Sequence, residues 1–422
     1  MRILYLSQYF PPEIGATQTR AYEMASYLVK AGHQVTMLTE FPNHPSGIIP
    51  PAYRGKWYER APLDGIDVIR VWVKASPVKD FRNRMLFYLS YMCNAAIAGL
   101  LLARGRYDLT YATSPPLFVG GAALALSALK GLPLVFEVRD LWPESAVALD
   151  ELQNPRAIAW ATRLEKMCYN KAARIVVVTE GIQQRLLERG LPAARLHLIP
   201  NGTNTNLFQP QPAAGGRLRR EWGLEGKFIV LYAGIHGLAQ GMEALVEAAR
   251  LLQDQPDIHF VFVGEGPKKS AVAALKEAYK LQNLTMLAER PTKEMPAFLS
   301  AANVALAPLR KLALFQGALP SKMFDAWACA CPIVLSIEGE ARRVLEEANA
   351  GVYAEPENPA SIAAAIKSLR DAPGRAKELG ANGRRYVEEN YSRERMAQHL
   401  EALLREVCAD GLIRRNRHKG ER

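Results

Sequence analysis

Three short runs in this chain combine residue types and spacing suited to chemistry. The first is Ala318-Leu319-Pro320-Ser321-Lys322-Met323-Phe324-Asp325. Proline fits the first position of a helix, so Pro320 is expected to occupy that position. Lys322 then falls in the first turn, where the positive end of the helix dipole disfavours a cation by about 0.3–1 kcal/mol. A bound diphosphate would reverse that sign. Asp325 follows three residues on and shares the helix face. A carboxylate there can accept two vicinal ribose hydroxyls. The plainer alternative is a local Lys–Asp pair with no ligand.

The second run, Gly264-Glu265-Gly266-Pro267, follows the apolar stretch Phe260–Val263 and precedes a helical segment. Its glycines permit a tight turn whose N–H groups can face a phosphate or a ring. Such turns are common, and the full Gly-x-Gly-x-x-Gly pattern of a dinucleotide dehydrogenase is missing. The third run, Glu137-Val138-Arg139-Asp140-Leu141-Trp142-Pro143-Glu144, begins in a strand-like apolar segment. Polar residues at a strand's C-terminal end, then an aromatic and a proline, suit a cleft wall. They suit a surface turn with a core tryptophan equally well.

These runs need a scaffold, and the pattern supplies one. Apolar runs at Ile3–Ser7, Val35–Thr39, Asp67–Val73, Leu109–Thr113, Leu134–Val138 and Ile175–Thr179 alternate with helical segments such as Thr19–Ala31. Strand–helix alternation of this kind indicates an α/β fold with a parallel, doubly wound sheet. Residues 41–56, with four prolines and two glycines, read as a loop expected to be mobile. Residues 200–226 read as a linker by composition. The alternation then restarts at Ile229–Ala233, His259–Gly264, Leu284–Leu287, Val304–Pro308 and Pro332–Ser336, with helices filling Pro359–Ala409. Two such domains are expected to meet at a cleft bounded by strand C-terminal ends.

Composition narrows the partners. The chain has 422 residues, with 53 Lys and Arg against 42 Asp and Glu, a net charge of +11. A basic protein meets anionic partners. Nucleic acid is not expected, because basic residues interleaved with aromatics along one face are missing. Five cysteines, at 93, 168, 329, 331 and 408, show no Cys-x-x-Cys or Cys/His ligand spacing, which argues against zinc and a disulfide framework. The opening Met1–Leu6 runs into Pro11-Pro12 without the apolar length of a signal peptide, so a cytoplasmic setting is expected. Residues 85–103 carry no charge and, as a helix, would be about 28 Å long, close to a bilayer core. Arg82, Arg84, Arg104 and Arg106 flank the segment on both sides, where a spanning helix shows a one-sided bias. Three readings stand: a buried core helix, a helix lying in the membrane interface, and a span. The tail, Arg414 to Arg422, has five Lys/Arg and one Glu; it is either a frayed end or a contact for anionic lipid.

At these residues the chain resembles a bacterial glycosyltransferase of family four, with the GT-B fold of two facing Rossmann-like domains. The resemblance covers essentially the whole length. The Gly15 loop is similar to the family's glycine loop under the sugar–phosphate, and Ile199-Pro200-Asn201-Gly202 to its interdomain signature. Tyr232-Ala233-Gly234 with Gln240-Gly241 stands where the family has Gly-Arg and Lys-Gly. Gly264–Pro267 matches its Gly-x-Gly-Pro turn, and Asp325-Ala326-Trp327-Ala328 the end of its paired-glutamate motif. Tyr9-Phe10-Pro11-Pro12, Asp140-Leu141-Trp142-Pro143 and Pro320-Ser321-Lys322 resemble a subgroup that builds surface polysaccharides, often described as N-acetyl-fucosamine transferases.

The resemblance implies an acceptor domain over 1–205, with a C-terminal helix 392–422 free to pack back on it, and a nucleotide-sugar domain over 206–391. It implies retaining, metal-independent transfer from a UDP-sugar to a polyprenyl-diphosphate-linked saccharide at the cytoplasmic face of the inner membrane, as in O-antigen synthesis. No Asp-x-Asp stands out as a metal site, and no cofactor is expected. A UDP-sugar 2-epimerase of the same fold is the alternative. The candidate donor-site residues are Gly15, Gly234, His236, Gly264, Gly266, Arg290, Lys322 and Asp325, with Arg290 placed where the family's loop meets the base. Lys322 and Asp140 are the candidate catalytic groups, Asp140 orienting or polarising the acceptor hydroxyl. Arg82, Arg84, Leu86, Leu89 and Arg139 are assigned to acceptor and membrane. Two phosphate-binding cations of the family fall at Ile235 and Gln240, and its first motif acid near Gly317. Lys322, His236, Arg310 or the helix N-terminus at Pro320 must then supply the missing charge.

Overall fold

Eight strands form one sheet and six form another, and each group belongs to its own compact unit: residues 1–200 with 394–422, and residues 201–393. This computed structural model describes residues 1–420 except Ile14, Pro45, Lys79 and Glu151, and only the backbone of 412–420. The tail's expected lipid contact therefore lies outside the described residues.

In the first unit the strands are β1 (Arg2–Leu6), β2 (Gln34–Glu40), β3 (Tyr58–Leu63), β4 (Ile66–Val71), β5 (Leu109–Ser114), β6 (Leu134–Val138), β7 (Arg174–Val177) and β8 (Leu196–Leu198). Their order is β3-β4-β2-β1-β5-β6-β7-β8, parallel except for β3 against β4. Every residue of β5 and β6 is buried, as a parallel strand covered on both faces must be. One face packs Leu4, Leu38 and Phe136 with Tyr91, Ala122 and Leu164 from three helices. The other packs Ile3, Tyr5 and Tyr111 with Met24 and with Met396, Leu400 and Leu404 of the helix Arg393–Gly420. The strand order reverses between β1 and β5, which places the ligand edge at the loops after them.

The second unit holds β9 (Phe228–Ala233), β10 (Ile258–Val263), β11 (Leu284–Leu287), β12 (Val304–Pro308), β13 (Ile333–Ser336) and β14 (Gly351–Tyr353). The order is β11-β10-β9-β12-β13-β14, and all neighbours are parallel. Here the order reverses between β9 and β12, so the loops leaving those two strands form the ligand edge.

One strand was not read from the sequence, and two sequence expectations change. β3 is a strand, although its burial is slight and it contains Pro62. It pairs with β4 through a two-residue hairpin at Asp64-Gly65, both with positive φ, a turn signal that was legible in the Asp-Gly pair. Residues 200–226 are not a linker throughout, because Pro212–Glu221 is a helix. Gly215 lets it approach the helix Met295–Ala301 so closely that a Cβ would lie 2.5 Å from the Ser300 carbonyl oxygen. Pro320 is the cap before the helix Ser321–Ala328 and not its first residue, being extended at φ −66° and ψ 131°. In the 41–56 loop, Phe41 is buried and the Asn43 and His44 amides donate to Glu13 Oε1 at 2.7 and 2.8 Å, so its start is held in place.

Candidate functional site

The apolar strand β9 ends at Ala233, and the chain turns at Gly234 directly beneath the turn that leaves β10. The Gly234 amide donates to the Val263 carbonyl at 2.9 Å, and the His236 amide to the Glu265 carbonyl at 2.8 Å. The two turns cross so closely that a Cβ on Gly264, at φ 149°, would lie 1.9 Å from the Gly234 oxygen. On Gly266 it would lie 2.5 Å from the His236 oxygen. Both glycines are thus required by the crossing itself, a stricter reason than phosphate approach.

This crossing buries His236 completely, between the Tyr232 ring at 5.6 Å and the Phe262 ring at 6.4 Å. Neither ring nitrogen has a hydrogen-bond partner among the described residues. Burial lowers the imidazole to about 4, and the Lys269 and Lys322 ammonium groups add to the effect, so His236 is neutral near pH 7. Leaving a buried N–H unbonded costs about 1–3 kcal/mol, which a ligand oxygen would recover.

Lys322 reaches the same place from the helix beyond β12. Its Nζ donates to the Tyr232 phenol oxygen at 3.1 Å and stands 4.3 Å from that ring's centroid. A Cβ on Gly234 would be 3.1 Å from this ammonium. Burial lowers Lys322 to about 8, with Asp325 pulling the other way. Among the described residues Lys322 forms no ion pair. One turn further along the helix, Asp325 Oδ1 accepts from the Thr203 hydroxyl at 2.5 Å. Thr203 is buried, its amide donates to the Tyr391 carbonyl at 2.9 Å, and its carbonyl accepts from the Arg393 amide at 2.7 Å.

The structure gathers Gly234, His236, Gly264, Gly266 and Lys322 in this cradle, with Asp325 one helical turn from Lys322. Arg310 is half-exposed, and its Nε lies 3.5 Å from Glu357 Oε1. Arg290 is exposed in the loop after β11. Ile235 is 52% exposed and apolar at the place where a cation was expected. Tyr232 and Thr203 carried no role in the sequence reading. Nothing local marks Thr203, whereas Tyr232 stands inside a quoted motif and only its reach toward Lys322 was invisible.

The first unit holds the remaining candidates. Gly15 caps the helix Ala16–Lys30. Asp140, just beyond β6, accepts from the Ser145 hydroxyl at 2.7 Å. Arg139 follows β6, and its charge acts on Glu137. Glu137 is fully buried: Oε2 accepts from Arg20 Nη2 at 2.8 Å and Tyr111 at 2.6 Å, and Oε1 from Thr113 at 2.7 Å. Arg20 also donates to the Ile199 and Pro200 carbonyls at 3.0 and 2.8 Å. Burial alone would raise the Glu137 carboxyl, but Arg20, Arg139 and Tyr111 bring it down to about 2.

The uncharged segment is the helix Phe81–Leu101, capped by Asp80, whose side chain accepts the Asn83 amide at 2.7 Å. Its inner stripe of Tyr91, Ala95, Ala98 and Gly99 packs on the sheet and the next helix. The outer stripe leaves Leu86, Ile97, Leu100 and Leu101 exposed, with Leu89 and Arg84 half-buried and Arg82 exposed. It is long and apolar enough to cross a membrane by length and composition, and only 22% of its most apolar window is buried. On the helix Pro155–Lys171, an outer face carries Arg156, Trp160, Arg163, Lys166, Met167 and Lys171, all exposed. That face has four cations and no acid.

Residues 15–202 match the Glycosyl transferase 4-like domain, and residues 216–386 match Glycosyl transferases group 1. The chain is 24% identical over 411 residues to WcaI of Escherichia coli K12, described as a colanic acid biosynthesis glycosyl transferase, covering 95% of this chain and 98% of that one. Its fold is similar to a sucrose-phosphate synthase from Thermosynechococcus elongatus, with TM-score 0.74 at 20% identity, covering 97% and 99% of the two chains. Anabaena HepE in complex with UDP-glucose also has TM-score 0.74, at 16% identity, covering 96% and 100%.

Proposed function

The chain belongs to the family-four glycosyltransferases of GT-B fold, and from that premise we propose that it moves a sugar from a UDP-sugar to a polyprenyl-diphosphate-linked saccharide. The sugar is an N-acetylated deoxyhexosamine in this reading, the anomeric configuration is retained, and no metal takes part. The observation that carries the donor half is the Lys322 ammonium at the ligand edge of the second unit, which among the described residues donates to a phenol and pairs with no carboxylate. A cation so placed takes the charge of a departing diphosphate. Amides of the first turn of Ser321–Ala328 add to it through the helix dipole. Asp325 takes the ribose hydroxyls and Asp140 orients the acceptor hydroxyl.

The acceptor half rests on the first unit's exposed apolar helix. Removing a polyprenyl tail from a bilayer costs about 0.8 kcal/mol per buried CH₂. The enzyme therefore comes to the lipid, at the cytoplasmic face of the membrane. The outer stripe of Phe81–Leu101 lies in the interface, and the basic face of Pro155–Lys171 meets anionic head groups. An apolar and an electrostatic contact together are what stable peripheral binding takes. Wild-type protein should bind vesicles of anionic phospholipid, less in high salt, and Leu86→Glu with Ile97→Glu should abolish this without changing UDP affinity.

The activity is tested with a panel of UDP-sugars and membrane-extracted polyprenyl diphosphate saccharides. UDP release that requires the acceptor, with an α-linked product from an α-linked donor, is the expected result. Acceptor-independent isomerisation at C2 of the sugar would identify an epimerase and defeat the proposal.

A further inference from the structure

Tyr232 acts on Lys322 in two ways at once. A phenol has one proton, and a backbone carbonyl can only accept. The Tyr232 hydroxyl donates to the Ile235 carbonyl at 2.5 Å, so its remaining lone pair faces Lys322, whose Nζ lies 3.1 Å away. The ring adds a cation–π contact, with the ammonium 4.3 Å from the centroid. An ammonium has three N–H donors, so two remain for ligand oxygens.

We propose that Tyr232 is a positioning residue of the donor site, holding the Lys322 ammonium over the Gly234–His236 turn so that this lysine makes the diphosphate contact that Ile235 cannot. The inference rests on the reading of Lys322 as the phosphate ligand, and deepens it. A carboxylate in the place of Tyr232 would hold the lysine equally well but would neutralise it and compete with an anionic ligand. A phenol and a ring face fix the cation and leave its charge available. Gly234 completes the arrangement, since any Cβ there would press on the ammonium at 3.1 Å. Lysine is a flexible chain that loses rotamer entropy when held, and a holder in the free protein removes that cost from binding. His236 stands beside the same ring, and neither of its nitrogens has a hydrogen-bond partner among the described residues.

The test compares UDP with uridine by calorimetry. Tyr232→Phe keeps the ring and removes the lone pair, so UDP affinity should fall about tenfold while uridine affinity stays within about twofold. Tyr232→Leu should lower UDP affinity further. In a Lys322→Met background, Tyr232→Phe should have no added effect. Unchanged UDP affinity in Tyr232→Phe would overturn the proposal. So would a parallel loss of uridine binding, or a tenfold effect that persists without Lys322. If Lys322→Met itself binds UDP as well as the parent, the reading of Lys322 falls and the role of Tyr232 with it.

Discussion

Glu137, near the end of β6, and Lys322, just beyond β12, are both charged side chains at the C-terminal edges of parallel sheets, and their surroundings are opposite. Glu137 accepts from Arg20, Tyr111 and Thr113, and the guanidinium is itself bonded to two backbone carbonyls. No hydrogen-bonding capacity is left over at that carboxylate for a ligand. Lys322 is met by a neutral phenol and an aromatic face, and its neighbour His236 is buried with no hydrogen-bond partner at its nitrogens among the described residues. A charge that the fold has fully paired holds the fold together, and in the reading proposed above a charge held mainly by neutral groups is kept for a ligand.

The largest effect should come from breaking the paired centre. Glu137→Ala leaves the Arg20 guanidinium buried without its counter-ion, which costs about 3–5 kcal/mol. Urea denaturation should show it as a fall in midpoint with little change in slope. Lys322→Met should leave the midpoint unchanged or raise it, because it removes a partly buried cation whose desolvation the charge of Asp325 offsets only in part. Equal loss of stability in both variants would erase the contrast between the two centres.

Turnover should separate them in the other direction. Lys322→Ala should lose about 2–4 kcal/mol of transition-state stabilisation, the range for one preorganised donor at a developing anion. The readout is kcat/KM with a UDP-sugar and acceptor. A variant turning over at the parent rate would show that another group carries the diphosphate.

Much of this arrangement was legible in the sequence, and the reasons for the rest are physical. Strand–helix alternation is a local signal, so both doubly wound sheets and the placement of Lys322 in the first turn of a helix could be read directly. β3 was hidden because an edge strand exposed to solvent loses the apolar alternation, leaving only its Asp64-Gly65 turn as a clue. The helix Pro212–Glu221 was hidden by its two glycines, of which Gly215 serves close packing. The Glu137 network could not be read, since its members come from β5, β6 and the helix Ala16–Lys30 and are joined only by folding. Thr203 was silent for the same reason: 122 residues separate it from Asp325.

Asp325 offers a finer probe of the second centre. If its carboxylate holds the ribose, Asp325→Ala should weaken UDP and uridine alike, by about 1.5–3 kcal/mol, the range for a hydrogen bond to a charged group. Lys322→Ala should weaken UDP alone. Thr203→Val removes the hydroxyl that orients Oδ1 and should give a smaller loss, about 0.5–1.5 kcal/mol, in the same pattern. Calorimetry of the three variants with both ligands decides it. Full affinity for uridine in Asp325→Ala would assign Asp325 to holding Thr203 and nothing more.

The remaining effects are set by pH, and they fall at opposite ends of the scale. The Glu137 carboxyl is at about 2 in the folded chain against an ordinary value of 4.5, so the unfolded chain binds the extra proton between them. Its contribution to stability is full above about pH 4.5 and is lost as pH falls from there toward 2. Lys322 is lowered to about 8, and UDP binds its protonated form. UDP affinity should therefore be level between about pH 7 and 8 and fall as pH rises past 8, by up to about tenfold per unit. Within pH 7 to 9 the His236 imidazole, at about 4, stays neutral, and the Tyr232 phenol, pushed far up by burial, stays protonated. The terminal phosphate of UDP, with a second ionisation near about pH 6, is already charged through that range. The alkaline fall thus belongs to Lys322, and it should disappear in Lys322→Met while the acid loss of stability persists. An alkaline limb that survives in Lys322→Met would mean that a different cation, not the one held by Tyr232, meets the diphosphate.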